Sequence, residues 1–209
     1  MVHRRQVDDD TLVFGVHGAL WGNAMTWWDH DTGSVWSQPI GEAIAGPRKG
    51  QTLELLPVSF STWDAWQDAH PQTVALAVPA GVTGFDNSDF VVVVEFGEQA
   101  IGYPIDLLRR EGVINDVVGG AAIAIVSDPN DPQRWSVLSR TLDDQTVELI
   151  RVGTDIVDLT TGTTWDPVRG LGIAGPLESE VLNKLLALIS FPGDFETVWP
   201  DGRLWVMSQ

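Results

Sequence analysis

The chain has 209 residues, enough to bury a real core, and its 44% hydrophobic and 20% charged residues are ordinary for a folded protein. A formal net charge of −17 argues against nucleic acid and anionic membrane as partners, and zero cysteines exclude disulfides, thiolate metal sites and a cysteine nucleophile. No apolar run reaches the ~18 residues that membrane insertion needs, and the opening "MVHRRQVDDD" lacks the apolar stretch of a signal peptide; the compartment is left open.

In chain order, a strand ends in the acidic turn Asp8-Asp9-Asp10 and a second strand runs from Leu12 to Val16, the pattern of a hairpin. A short strand enters Thr32-Gly33, where glycine permits a tight turn. The Trp36 strand, a turn at Gly41 and an "AIAGP" strand follow. "SFSTWDAWQDAHP" predicts a short helix capped by Ser61 or Thr62 and stopped near Pro71. "FVVVVEFGEQAIGYPI" predicts a hairpin about Gly97, and "PIDLLRREGV" a helix with Pro104 near its first turn. Asn115-Asp116 reads as a turn, Gly119-Gly120 as a hairpin loop, and "AAIAIVSD" as a buried strand.

After residue 139 the first part of the chain is echoed. Gly162 follows Gly33 by 129 positions, and the same offset relates Asp29 to Asp158, Trp36 to Trp165 and Gly41 to Gly170. Upstream of Trp27 the offset is 135, carrying Arg5 onto Arg140, so the first copy holds six extra residues, best placed in "GALWGNAM". The second copy adds "LESEVLNKLLALI", whose apolar residues at 181, 182, 185, 186 and 189 predict an amphipathic helix. It closes on "GDFETVWP", which mirrors "WDAWQDAHP". Residues 72 to about 139 have no counterpart in the first copy. The expected fold is mainly β (a β-rich α+β): two pseudo-symmetric repeat halves of short antiparallel strands with a few short helices. Residues 1–71 form an incomplete first unit and 72–209 a complete second one, in one globule; two small domains joined near 72–85 are the alternative.

Several of these phrases, "GYPIDLL", "EGVINDVVGG", "GSVWSQPIGEAIAGP" and "WDAWQDAHP", together resemble a bacterial and archaeal family catalogued as domain of unknown function 3179. The resemblance aligns "DNSDF" at 86–90 with the family's start, and Gly102-Tyr103-Pro104 with its Ala-Tyr-Pro. Asn115-Asp116, Gly119-Gly120 and "FGVHG" at 14–18 match directly. Arg110-Glu111 stands where the family has His-Glu, and "SDPND" from Ser127 where it has paired cysteines. The resemblance therefore implies a truncated or split member, whose first front section lies upstream, on another chain, or nowhere.

Candidate chemistry is sparse. In "WWDHDTG", Asp29 and Asp31 point to one side of a strand and His30 to the other, so a local triad is unfavourable, and Asp29 reads first as a turn aspartate. His17 lies among Trp21, Trp27 and Trp28 in the longer copy, the expected wall of any ligand pocket. His70 before Pro71 reads as a cation at a helix C-terminus. Weak catalytic candidates are Asp116, His17 and Asp29; expected ligand-binding residues are His17, Trp21, Trp28, Asn115 and Asp116, with a small molecule or a cation as ligand. No metal site and no cofactor is expected. No G-x-S-x-G elbow, P-loop or dinucleotide fingerprint is present. The reading favoured is a non-catalytic binding or assembly module, as a homo-oligomer or with a complementing chain, because an incomplete unit leaves a sheet edge unpaired. The alternative is a hydrolase or lyase acting on a small or sugar-like substrate in a Trp-lined acidic cleft.

Overall fold

Apolar runs of three to eight residues, punctuated by Gly, Asn and Asp, favour hairpins over long helices. The computed structural model describes residues 1–58, 60–75, 77 and 89–207. β1 (Gln6–Val7) and β2 (Asp10–Thr11) pair across a turn in which Asp8 takes φ +53°. β3 (Phe14–Trp21), β4 (Ala24–Asp29), β5 (Val35–Ser37) and β6 (Ala43–Ala45) form a four-stranded antiparallel sheet in sequence order. α1 (Trp63–Ala69) is capped by Thr62, whose Oγ1 accepts the Ala65 N–H at 3.2 Å, and it ends at His70.

β7 (Val91–Phe96) and β8 (Gln99–Pro104) make the hairpin about Gly97. α2 (Ile105–Glu111) leads into β9 (Val113–Val118), β10 (Ala121–Asp128) and β11 (Asp131–Ser139), an antiparallel sheet with β10 in the middle. β12 (Thr141–Leu142) and β13 (Gln145–Thr146) form a second acidic hairpin. β14 (Leu149–Val152), β15 (Asp155–Asp158), β16 (Thr164–Asp166) and β17 (Leu171–Ala174) then build a second four-stranded sheet. Last come β18 (Leu188–Ser190), α3 (Pro192–Val198) and β19 (Arg203–Leu204). β18 pairs antiparallel with β7, and β19 pairs parallel with β8.

The fold is thus β-rich, with several antiparallel sheets and short helices. β10 is covered on both faces: Ile123 and Ile125 pack with Val92, Tyr103 and Leu108, while Ala124 and Val126 pack with Leu149, Ile156 and Trp165. A smaller cluster holds Leu12, Trp36, Ala43 and Leu53 under the first sheet. Each fully buried aliphatic or aromatic side chain contributes about 1.5–3 kcal/mol of transfer free energy, so these clusters hold the sheets in place.

Hydrogen bonds of the first sheet recur at the echoed positions of the second. Gly33 N–H donates to Asp29 O and Gly162 N–H to Asp158 O, both at 2.9 Å. Leu53 N–H donates to Gly41 O and Leu182 N–H to Gly170 O. The hairpins differ in length, with eight residues in β3 against four in β14.

Two expectations are corrected. Residues 177–189 are not a helix: Leu182 N–H bonds Gly170 O, Leu185 N–H bonds Val137 O, and the Asn183 carbonyl accepts from Ser139 N–H. Partners in β11 and beside β17 claim the backbone, so the apolar spacing loses to tertiary hydrogen bonding. Asn115-Asp116 is not a turn: both lie inside β9, opposite Ala124 and Ile123. Most of the proposed joint at 72–85 and of "DNSDF" at 86–90 lies outside the described residues.

Candidate functional site

The predicted residues fall into two places. His17, Trp21, Trp28 and Asp29 belong to the β3–β4 hairpin, and Asn115 and Asp116 to β9.

On the hairpin, Thr26 Oγ1–H donates to Ala19 O at 2.7 Å, and His17 Nδ1 lies 3.0 Å from the same oxygen. The hydroxyl proton being spent, His17 donates to that oxygen from Nδ1. Trp28 stacks on His30 at a centroid distance of 4.4 Å and lies over Gly15, where an added Cβ would sit 2.6 Å from Trp28 Nε1. Trp21 and Trp28 are exposed, as are Val16 and Leu20, each at 69%. A cavity of about 330 Å³ does adjoin this hairpin, but it is walled by Leu20, Met25, Phe90, Phe191 and Asp194, and not by His17, Trp21 or Trp28. Burial pushes the Asp194 carboxyl there above its ordinary range.

Asp29 ends β4 and is fully buried. Its Oδ1 accepts Thr32 N–H at 2.6 Å and its Oδ2 accepts Trp36 Nε1–H at 2.9 Å. Burial alone would raise this carboxyl; the bonds from Trp36 and Thr32, with Arg48 nearby, outweigh it and hold the group below its ordinary range. A carboxylate so engaged is a turn fastener rather than a proton acceptor, while the neighbouring His30 and Asp31 are exposed. Asp158 does the same work for the second sheet with Thr161 and the Glu148 N–H.

Asn115 and Asp116 point to opposite sides of β9, as successive strand residues must. Asn115 Nδ2 donates to Leu149 O at 2.8 Å and its Oδ1 accepts Leu149 N–H at 3.1 Å, so one carboxamide joins β9 to the edge of β14. Asp116 Oδ2 accepts the Tyr103 hydroxyl at 2.8 Å and lies 3.6 Å from Arg203 Nη2; its Oδ1 accepts Val117 N–H. Tyr103 is fully buried, and burial first, then the hydrogen bond to Asp116, raises its phenol above the ordinary tyrosine range. The phenol is a fixed neutral donor.

Among the described residues, His17, Asp29 and Asp116 have no hydrogen-bond partner in common. Among the described residues no three His, Asp or Glu side chains cluster as metal ligands would, and no helix is long and apolar enough to cross a membrane. A cleft of about 400 Å³ beside Asp128, Arg134, Asp155, Asp166 and Arg169 was not foreseen from sequence. It lies next to "SDPND" and the Asp166-Pro167-Val168 stretch, where the echoed phrases part company, and that divergence was the signal available.

Comparison with curated proteins and with solved structures finds no match. Residues 1–84, which carry the first sheet and its long hairpin, match the family model described as "Protein of unknown function (DUF3179)".

Proposed function

We propose that this protein is a non-catalytic binding or assembly module of the DUF3179 type, in which the first and second sheets are copies of one unit and the β3–β4 hairpin makes the contact, with a second copy or a complementing chain. The observation that carries this reading is the character of β3. It is an eight-residue edge strand, and from Leu12 to Trp28 the chain holds no Asp, Glu, Lys or Arg. Long, uncharged, exposed edges are templates for pairing, and folded proteins usually blunt them with charge or proline. Dispersal of His17, Asp29 and Asp116 supports the module over a hydrolase or lyase, since acid–base catalysis needs such groups within reach of one substrate.

Light scattering tests the homo-oligomeric form. The parent chain is expected at no less than twice its 22.8 kDa, and the double variant Val16→Lys/Leu20→Lys at the monomer mass. A monomeric parent chain at micromolar concentration overturns self-association.

A further inference from the structure

The second sheet shows how its own edge is covered. Asn115 of β9 grips Leu149 through both backbone groups. Arg140 adds a second hold: Nη1 donates to Val147 O at 3.0 Å, Nε to Ile123 O at 2.9 Å, and Nη2 to Asp116 O at 3.3 Å. One guanidinium thus ties the edge of its unit to β10 and β9 together, and Leu149 is fully buried beneath them.

Both anchor points recur in the first sheet at the offset of 135. Arg5 stands for Arg140 and donates Nη1–H to Leu12 O, the counterpart of Val147 O, at 3.3 Å. Its Nε and Nη2 have no partner among the described residues, although Arg140 spends the same atoms on β10 and β9. Phe14 stands for Leu149. His30 N–H bonds Val13 O, so the next pair, Phe14 with Asp29, turns its backbone groups away from one another. Phe14 N–H and C=O therefore lie on the open edge of β3, as those of Leu149 lie on the edge that Asn115 covers. Phe14 is only partly buried.

We infer that the Arg5–Phe14 edge is a docking site for a separate polypeptide that presents a β-hairpin of β9–β10 type: an apolar strand bearing one asparagine, whose carboxamide grips the Phe14 backbone, and main-chain carbonyls that receive Arg5 Nε and Nη2. The inference rests on the binding-module reading and names the chemistry of the partner. Strand addition draws affinity from main-chain bonds and specificity from side chains placed at alternate positions; here the asparagine sets the register.

The probe is a labelled peptide of residues 112–128 of this chain, lysine-tagged for solubility, titrated into the full chain and read by anisotropy. Saturable binding is expected, weakened at least tenfold when the peptide carries Asn115→Ala and severalfold when the chain carries Arg5→Gln. Arg5 is exposed, so that variant keeps its fold, which its circular dichroism checks. Absence of saturable binding, or affinity indifferent to both changes, overturns the proposal. Failure of excess unlabelled peptide to displace the labelled one also overturns it. Light scattering of the parent chain is unaffected by these outcomes, so the module reading can survive when this one fails.

Discussion

Tyr103 and Asp116, thirteen positions apart on β8 and β9, are joined by a 2.8 Å hydrogen bond from the phenol to the carboxylate. This is the only tyrosine in the chain, so its ionisation can be followed without interference from another phenol. The folded phenol keeps its proton at pH values where an unfolded tyrosine, with a pKa near ~10, releases it. The folded state therefore binds more protons than the unfolded one above about pH 10, and stability falls as pH rises further. Phenolate absorbance is expected to appear together with the loss of tertiary circular dichroism; a free titration near 10 in the native state would refute this. Tyr103→Phe is expected to cost about 2 kcal/mol in denaturant unfolding, the range for a hydrogen bond to a charged group.

Trp36 and Trp165 occupy echoed positions and are both fully buried, yet they are not equivalent. Trp36 donates to Asp29, while Trp165 Nε1 has no hydrogen-bond partner among the described residues. Phenylalanine removes a similar volume at each site but a hydrogen bond at only one. Trp36→Phe is expected to destabilise by about 1–2 kcal/mol more than Trp165→Phe, measured as a difference in urea midpoints at equal m-value.

The parts of the fold visible in the sequence were those set by local chemistry. Thr62 caps α1 because its hydroxyl reaches a free N–H, and Gly97 and Gly119-Gly120 close hairpins because glycine tolerates positive φ. What stayed hidden depends on partners far along the chain. Asn115 inside a strand contradicts its turn preference, and only the bond to Leu149, 34 positions away, compensates. The helical spacing at 177–189 misleads for the same reason, since Gly170 and Val137 capture that backbone. At the candidate site, a sequence can nominate His17 and Asp116, but whether they converge is a matter of sheet topology.

Asp29 and Asp158 should mark the acid side. Each carboxyl lies below its ordinary range in the folded chain, so its contribution is present above the unfolded value near ~4 and is lost as pH falls through the folded value. Asp29→Asn puts a donor amide in place of an oxygen that accepts Thr32 or Trp36. A loss of about 1–3 kcal/mol at neutral pH is expected, with a shallower acid limb in the plot of stability against pH. An unchanged acid limb would show that other carboxyls dominate acid unfolding.

Salt provides a further check on the contact surface. Two chains of net charge −17 repel at long range, while the stretch from Leu12 to Trp28 holds no Asp, Glu, Lys or Arg. Raising salt from about 0.1 M to about 1 M shortens the screening length from ~10 Å to ~3 Å. Self-association through the hairpin should therefore strengthen with salt. Association that weakens with salt would indicate ion pairs at the contact and a different surface.

The engagement of Asn115 with Leu149 also limits what assemblies can grow. Head-to-tail pairing, in which each copy lends a strand to the next, is heterologous and open-ended, the geometry of filaments. Here the lending strand is already held by its own chain, so a copy can receive such a strand but has none to pass on. Edge-to-edge pairing of two β3 strands, by contrast, is isologous and closes at two. On the proposed binding-module reading, the molecule is a terminator that caps a series or completes a pair without propagating one.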